Sequence, residues 1–410
     1  MRACFSSADI MLPSEAAAED AWAVVACDQY TSDPEYWKDV ERITSGKPST
    51  YNIIFPEVYM SEMESRIDRI SGNMENYMRE NILSEAVHDG FVLVERTTES
   101  GARLGLVGKV DLEQYDFVPG NSALIRATEG TVASRIPPRV RIRSKAAIET
   151  PHVMMLIDDR DKKLIEPLFE KKESFRKLYD AVLMKKGGTL RGWAIEGKAA
   201  EAVNDLLLKM QRESGGFFIS VGDGNHSLVT AKAWWNELKE RLSPEERETH
   251  PARYALAELV NLHSPALIFE PVHRVLFGAD YTKVTEGFLS ACKKLGIETE
   301  PGSDVVFRSC GKSSGFSLKG TGGRLPVDIL QSYLDAFLAD NKDVSIDYIH
   351  GEETPMKLSE KEGNCAVFLK SIDKNALFPA IAAGGVLPRK TFSMGEAHEK
   401  RYYMECRKIR

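Results

Sequence analysis

One segment constrains the fold of this chain more than any other, the stretch FFISVGDGNHSLVTAKAWW at residues 217–235. The apolar residues 217–221 predict a β-strand, and the glycines that follow predict a turn. A helix is predicted from about residue 225 to residue 241. A strand that turns directly into a helix places the first backbone N–H groups of the helix at the turn. This order of elements predicts a binding site for an anion, favoured by the helix dipole.

The turn also gathers polar groups. Gly222 and Gly224 allow a phosphate to approach the backbone closely, and they allow a positive φ where one is needed. An acid, an amide, an imidazole and a hydroxyl come from Asp223, Asn225, His226 and Ser227. The pattern is neither G-x-x-x-x-G-K-[ST] nor G-x-G-x-x-G. The alternative interpretation is structural: Asp223 or Asn225 caps the helix, and His226 is a satisfied core histidine.

A run of basic residues between positions 126 and 145 is a second candidate for an anion site. It contains five arginines and Lys145 against one acid, Glu129. Arginine forks suit carboxylate and phosphate groups, so Arg126 and Glu129 are candidate substrate-binding residues. The alternation of arginines at 139, 141 and 143 instead predicts the exposed face of a strand.

Two further cationic positions follow later in the chain. His273 and Arg274 come after Pro271, and Lys390 lies in a loop behind two glycines. Each could contact a phosphate. The alternative for His273 and Arg274 is that they only end a strand, and the alternative for Lys390 is an ordinary surface loop.

Composition excludes several classes of function. The chain has 410 residues, and its 54 Lys and Arg against 61 Asp and Glu give a net charge of −7. Nucleic-acid binding requires excess cation, so a nucleic-acid partner is not expected. No apolar run is long enough to span a bilayer. The six cysteines form no C-x-x-C pair, which is typical of reduced thiols. We therefore predict a cytoplasmic protein with a small-molecule substrate and no membrane partner, and a homo-oligomer stays open.

The order of elements predicts a mixed fold. Short strands and irregularly spaced helices favour the α+β class over a doubly wound sheet. A soft domain boundary is placed near residue 278, where the pattern restarts. The predicted helices cover about 61–88, 166–185, 198–212 and 244–258, and the predicted strands cover 91–96, 104–112 and 152–158.

Several segments together resemble the domain-of-unknown-function 1015 family along nearly the whole chain. The family carries D-G-H-H-R-Y, P-P-Y-D-V, G-L-V-G-x-V-D-L-x-x-Y-D, H-E-x-T, P-T-H-R and M-P-x-K-S-T-x-F segments. In this sequence they correspond to Asp223–Leu228, Val25–Gln29 with Asp28 retained, Gly105–Asp116, Thr128–Thr131, Pro271–Arg274 and Leu387–Ser393.

The resemblance implies a fold and a chemistry. The family's D-G-H-H-R segment is similar to the Gly-x-His-Arg box of the ParB/sulfiredoxin-like fold, whose members bind nucleotide and in some cases phosphorylate free L-serine. It implies a mixed-sheet region, residues 1–278, that carries this strand–turn–helix box. A smaller C-terminal α+β region, residues 279–410, is expected to close over the site.

The same resemblance implies a phosphotransferase that uses Mg²⁺ and ATP or ADP. Asp223 would hold the metal or act as a general base, and His226 would donate a hydrogen bond to the transferred group. Glu129 or Asp28 is the reserve base. Two alternatives stay open: a binding module for a phosphorylated metabolite or nucleotide without turnover, and a phosphatase that acts on a phosphorylated amino acid.

The sequence departs from the family pattern at three positions. Asn225 replaces the first histidine of D-G-H-H-R, Ser227 replaces its arginine, and Thr128 replaces the histidine of H-E-x-T. The lost arginine either weakens a nucleotide site or moves the role of the cation to Arg126, Arg274 or Lys390. A divergent member of the family is expected.

Overall fold

The chain forms two compact units, Met1–Leu267 with Glu396–Arg410, and Ile268–Gly395. They are seen in a computed structural model that describes residues 2–14, 21–26, 30, 33–130, 133–150, 153–388, 390–395, 397–400 and 402–410.

The long helices of the first unit bury one apolar face each. In Met63–Arg79 the buried residues Ile67, Ile70, Met74 and Tyr77 recur at helical spacing. The α-helices of this unit are α1 (Pro34–Thr44), α2 (Met63–Arg79), α3 (Ile136–Arg143), α4 (Ile165–Glu170), α5 (Gly197–Glu213), α6 (Asn225–Lys239) and α7 (Pro244–Thr249). Short 3₁₀ helices lie at Thr50–Asn52, Glu57–Glu62, Leu112–Gln114, Ala133–Arg135, Lys172–Ser174, Pro251–Arg253 and Ala397–Glu399.

A large mixed sheet forms the centre of the first unit. Its strands are β1 (Phe5–Ser6), β2 (Ala8–Pro13), β4 (Leu83–Thr98), β5 (Gly101–Asp111), β6 (Tyr115–Asp116), β7 (Ile125–Ala127), β9 (Met154–Ile157), β10 (Arg176–Val182), β11 (Thr189–Ile195), β12 (Ile219–Asp223) and β13 (Tyr254–Asn261). The main path runs β10-β11-β4-β5-β13-β9-β12-β7-β6, with β1 on β5 and β2 on β4. The β13–β9, β12–β7 and β7–β6 pairs are parallel, and the others are antiparallel. This mixed sheet confirms the predicted α+β class.

The middle strands of this sheet are covered on both faces. All four residues of β9 are buried, as are Ile219, Ser220 and Val221 of β12. Such continuous burial is typical of interior strands. It explains why the two segments are uniformly apolar rather than alternating.

The second unit is built on an antiparallel sheet. Its strands are β14 (Phe269–Phe277), β15 (Glu298–Ser309), β16 (Lys312–Lys319), β17 (Ser345–His350), β18 (Asn364–Leu369) and β19 (Phe392–Met394), in the order β16-β15-β18-β14-β17 with β19 on β14. Its α-helices are α8 (Tyr281–Lys294), α9 (Pro326–Asp340), α10 (Glu353–Ser359) and α11 (Lys374–Gly384).

The last residues of the chain return to the first unit. Strand β20 (Tyr402–Tyr403) pairs with β3 (Val24–Val25), and β21 (Arg407–Lys408) pairs with β8 (Ile148–Glu149). The sequence-based division placed these residues with the C-terminal region, and its boundary near residue 278 follows β14, which belongs to the second unit. Pairing between strands this far apart in sequence leaves no local signal.

Four local predictions were wrong. The predicted helix 61–88 ends at Arg79, and its last six residues belong to β4, where they pair with β2. The arginines at 139, 141 and 143 lie on helix α3, not on a strand, because prolines are tolerated in a first helical turn. The predicted helix 166–185 ends at Glu170, and β10 follows because pairing with β11 overrides the local pattern. The predicted helix 244–258 ends at Thr249, because Pro251 disfavours helical geometry before it.

Among the described residues, no helix has the length and the apolar character that a membrane crossing requires.

Candidate active site

Two parallel strands bring the predicted site residues to one edge of the sheet. In the β7–β12 pair, Val221 lies opposite Ala127. Glu129 therefore follows the end of one strand where Asp223 ends the other. The carboxyl ends of parallel strands are where α/β proteins commonly bind ligands.

The turn after β12 has the geometry of an anion cradle. Gly224 has a φ of 87°, in the left-handed region, and it stands at the N-cap of α6. The residue at the N-cap is a glycine, so it supplies no side chain to cap this helix start. Asp223 Oδ1 accepts the Gly224 N–H at 2.8 Å, which holds the turn. The first backbone N–H groups of α6 consequently point at the turn without intrahelical partners.

The two glycines serve different purposes. Gly222 does not have a positive φ. A Cβ atom there would come within 2.9 Å of Leu156 Cγ, on the neighbouring strand β9. Gly222 therefore permits close packing inside the sheet, and the left-handed conformation belongs to Gly224 alone in this turn.

Two departures from the family signature contact each other. Asn225 Nδ2 donates to Thr128 Oγ1 at 3.4 Å, and the Thr128 hydroxyl donates to the Val221 carbonyl at 2.6 Å. Asn225 Oδ1 is buried and accepts no hydrogen bond from the described residues. Strand β7 thus orients the Asn225 amide and leaves its oxygen as an acceptor at the helix start.

His226 and Ser227 occupy the opposite side of the first turn of α6, where they line a cavity of about 230 Å³. The Thr230 hydroxyl, one turn later, donates to the His226 carbonyl at 2.7 Å and lines the same cavity. The imidazole and the two hydroxyls therefore share one helix face.

The predicted cation Arg126 is engaged elsewhere. Its Nε donates to the Ala123 carbonyl at 2.9 Å, and its guanidinium carbon lies 4.5 Å from the centre of the Phe217 ring. Burial lowers the pKa of Arg126. These contacts hold the Arg126 guanidinium near the start of β7, and not at the turn between β12 and α6.

The other predicted cations belong to the second unit. His273 is 1% exposed, and its Nδ1 accepts the Leu369 N–H at 3.2 Å; burial lowers its pKa. Arg274 is fully buried, its Nε donates to Gln331 Oε1 at 3.3 Å, and burial lowers its pKa to about 10. Lys390 is exposed, with a φ of 58°. Asp28, the other predicted base, lies outside the described residues.

The turn itself supplies one carboxylate to a metal, that of Asp223, and Glu129 follows the neighbouring strand. Among the described residues, the group of three close ligand side chains is Asp9, Glu85 and His88, and all three are exposed. Mg²⁺ is often held by one or two carboxylates together with substrate phosphates. Asp223 fits that role, because it lies beside the proposed phosphate position.

Glu258 is a buried carboxylate that the sequence did not lead us to predict, and it lies in the same sheet as Asp223. Glu258 of β13 and Asp223 of β12 both pair with Met154 of β9, which puts their backbones about 10 Å apart. Glu258 is 8% exposed, Arg103 Nε lies 3.5 Å from its Oε1, and the Tyr402 hydroxyl donates to its Oε2 at 3.3 Å. An acidic residue inside the apolar strand YALAELVN is the sequence signal that could have found it.

Solved structures are similar to this chain only distantly. A free serine kinase variant in complex with ADP has a TM-score of 0.39 and 11% identity, over 73% of this chain and 91% of that chain. A conserved hypothetical protein from Pyrococcus furiosus has a TM-score of 0.35 and 12% identity, over 72% and 93%. SbnI from Staphylococcus aureus, truncated at its C-terminus, has a TM-score of 0.36 and 7% identity, over 73% and 82%.

No curated protein matches the chain. The sequence profile described as "Protein of unknown function (DUF1015)" matches residues 11–368. That match covers most of the chain and includes the strand–turn–helix of β12 and α6, so the protein belongs to the DUF1015 family.

Proposed function

We propose that the turn between β12 and α6 binds the phosphate groups of a nucleotide, and that the protein transfers a phosphoryl group to a hydroxyl metabolite such as free L-serine. The observation that carries the proposal is the start of α6 behind a left-handed glycine at its N-cap, at an edge that also carries two carboxylates. Backbone N–H groups at a helix start favour phosphate. Carboxylates beside them suit proton removal or a metal.

Each residue has a defined part in this proposal. The N–H groups of the first turn of α6 hold phosphate oxygens, and His226 donates a hydrogen bond to the transferred group. Asp223 holds Mg²⁺, which when bound offsets phosphate charge, or accepts the hydroxyl proton of the acceptor. Glu129 is the reserve base. Phosphoryl transfer depends mainly on positioning and charge stabilisation, so few groups are required.

The experiment is phosphorus NMR of the purified protein with Mg²⁺, L-serine and, in separate samples, ATP or ADP. We expect a phosphoserine signal that grows with time. Asp223→Asn should reduce the rate at least 100-fold, because general acid–base groups typically contribute that much. His226→Ala should also reduce it strongly. His88→Ala, at an exposed histidine, is the matched control and should retain the full rate.

The assignment is wrong if both variants at the turn retain the wild-type rate. Release of inorganic phosphate from phosphoserine, in a further sample that contains no nucleotide, would identify a phosphatase.

A second function is favoured by one observation. Ser227 replaces the arginine of the signature, and the described contacts of Arg126 and Arg274 bind these two guanidinium groups to other partners. A phosphate-binding turn with few cationic side chains beside it suits binding of a phosphorylated metabolite or nucleotide without turnover. Calorimetric binding of ATP, ADP or phosphoserine with no change in the phosphorus spectrum over time would establish this alternative.

A further inference from the structure

The cavity at the first turn of α6 is enclosed mainly by apolar side chains. Its walls come from α6, from α3, which packs against α6, and from the segment between residues 53 and 60. The side chains of Val153 and Leu256 close it on the side of the sheet. Its volume of about 230 Å³ is below the roughly 300–1,000 Å³ of pockets for drug-sized ligands. The cavity therefore suits a single ring system with a short substituent.

The charged side chains that line the cavity, two arginines and two glutamates, form ion pairs with each other. Arg139 pairs with Glu57, and Arg143 pairs with Glu149. Arg407 also pairs with Glu149 at 2.7 Å. Burial raises the pKa of Glu149, but Arg407 and Arg143 together bring it below its usual value, so the carboxylate stays ionised beside them. An uncharged ligand portion fits this wall better than an ionic one, because an ion would have to displace an existing pair.

The aromatic residues of the wall favour a flat ring as the occupant. Trp37 and Tyr403 line the cavity, and aromatic side chains pack well against the rings of heterocycles.

We propose that this cavity binds the nucleoside portion of a nucleotide whose phosphates lie at the first turn of α6. The inference rests on the proposed function, because it takes the phosphate position from there. Its specific addition is that the apolar cavity, and not the turn, supplies the preference for a nucleotide over other polyphosphates. His226 and Ser227, which line the cavity and begin the helix, join the two parts.

The test fills the cavity without altering the turn. Ala231 is 1% exposed and lines the cavity from α6, two residues beyond the first turn. In Ala231→Leu the larger side chain should weaken ATP binding at least 10-fold by calorimetry, while the affinity for tripolyphosphate stays within twofold. Ala202→Leu, the same substitution on the exposed face of α5, is the matched control and should leave both affinities unchanged.

Should Ala231→Leu fail to fold, as judged by circular dichroism and thermal melting, Ala146→Leu fills the same cavity from beyond α3 and decides the question. The inference is overturned if the folded variant binds ATP as the wild type does, or if it loses ATP and tripolyphosphate equally. It is also overturned if the wild type binds tripolyphosphate as tightly as ATP, a result that leaves the phosphate cradle intact. A wild type that binds neither probe overturns the proposed function as well.

Discussion

Glu258 shows how a single residue can dictate the identity of a neighbour. Its carboxylate is buried between Arg103 and Tyr402, and it lies over the backbone of Gly105 on the adjacent strand. A Cβ atom at Gly105 would come within 2.7 Å of Glu258 Cγ. Gly105 is thus explained by the space that Glu258 needs, since a larger residue would displace a carboxylate that has two partners.

We expect Gly105→Ala to lower the free energy of unfolding by about 1–3 kcal/mol, because an added group in a packed interior forces its neighbours to shift. Urea unfolding followed by circular dichroism measures this change. Gly72→Ala is the matched control. Gly72 lies inside α2 with nothing within 4 Å of the added group, so that substitution should stabilise by roughly 0.5–1 kcal/mol. Equal effects of the two substitutions would contradict the packing argument.

Glu405 gives the first unit a dependence on pH. Its side chain is buried, the Tyr179 hydroxyl donates to it, and Glu258 is close enough to repel it. Burial, and to a lesser degree Glu258, raises the pKa of Glu405 from 4.5 to about 7. A carboxyl group with a raised pKa stabilises the folded state below its unfolded pKa, and that contribution is lost as the pH rises through the folded pKa.

The free energy of unfolding of the wild type should therefore fall relative to Glu405→Gln as the pH rises from 4.5 to 7. The expected change is on the order of 3 kcal/mol, at 1.36 kcal/mol per pKa unit. Urea unfolding of both proteins across this range measures the difference. Parallel curves would show that Glu405 titrates normally in the folded protein.

At the scale of elements, the C-terminal segment is a structural part of the first unit and not an appendage. Its buried apolar side chains are Tyr402, Met404, Cys406 and Ile409, and Glu405 and Arg407 are buried as well. Its backbone also has fixed partners, since the Met404 carbonyl accepts the indole N–H of Trp22 at 3.1 Å. Strands β20 and β21 consequently stabilise the first unit through buried apolar side chains as well as through strand pairing.

Deletion of residues 402–410 should abolish cooperative folding of the first unit. Full burial of each large apolar side chain contributes roughly 1.5–3 kcal/mol, so four of them approach the whole stability of about 5–15 kcal/mol that proteins have. Near-ultraviolet circular dichroism and thermal melting test this. Removal of the exposed Arg410 alone is the control, and it should leave the melting temperature nearly unchanged. A truncated chain that melts like the full one would contradict the prediction.

Elements with local signals were the ones that could be predicted from the sequence. The strand and the helix around Gly224 were predicted because the apolar pattern changes its period at the glycines. Helix α3 was not predicted, because the ion pairs of its arginines are not local in sequence. Arg139 pairs with Glu57 and Arg143 pairs with Glu149, and both glutamates lie outside the helix.

At the scale of the whole molecule, features built from contiguous residues could be predicted from the sequence, and features assembled from distant segments could not. The candidate turn is contiguous in sequence and was identified there. The Glu258 cluster draws on β5, β13 and β20, and the cavity draws on still more segments, so neither leaves a pattern in any single window. Family motifs at Gly105–Asp116 marked one of these places without explaining it.

The late position of β20 and β21 in the sequence has a consequence for biosynthesis. Strands β3 and β8 acquire β20 and β21 as neighbours only after residues 402–408 have left the ribosome. Until then the edges of these two strands lack these partners, and unpaired strand edges favour association with other chains. We therefore expect translation that stalls before residue 402 to leave an aggregation-prone intermediate.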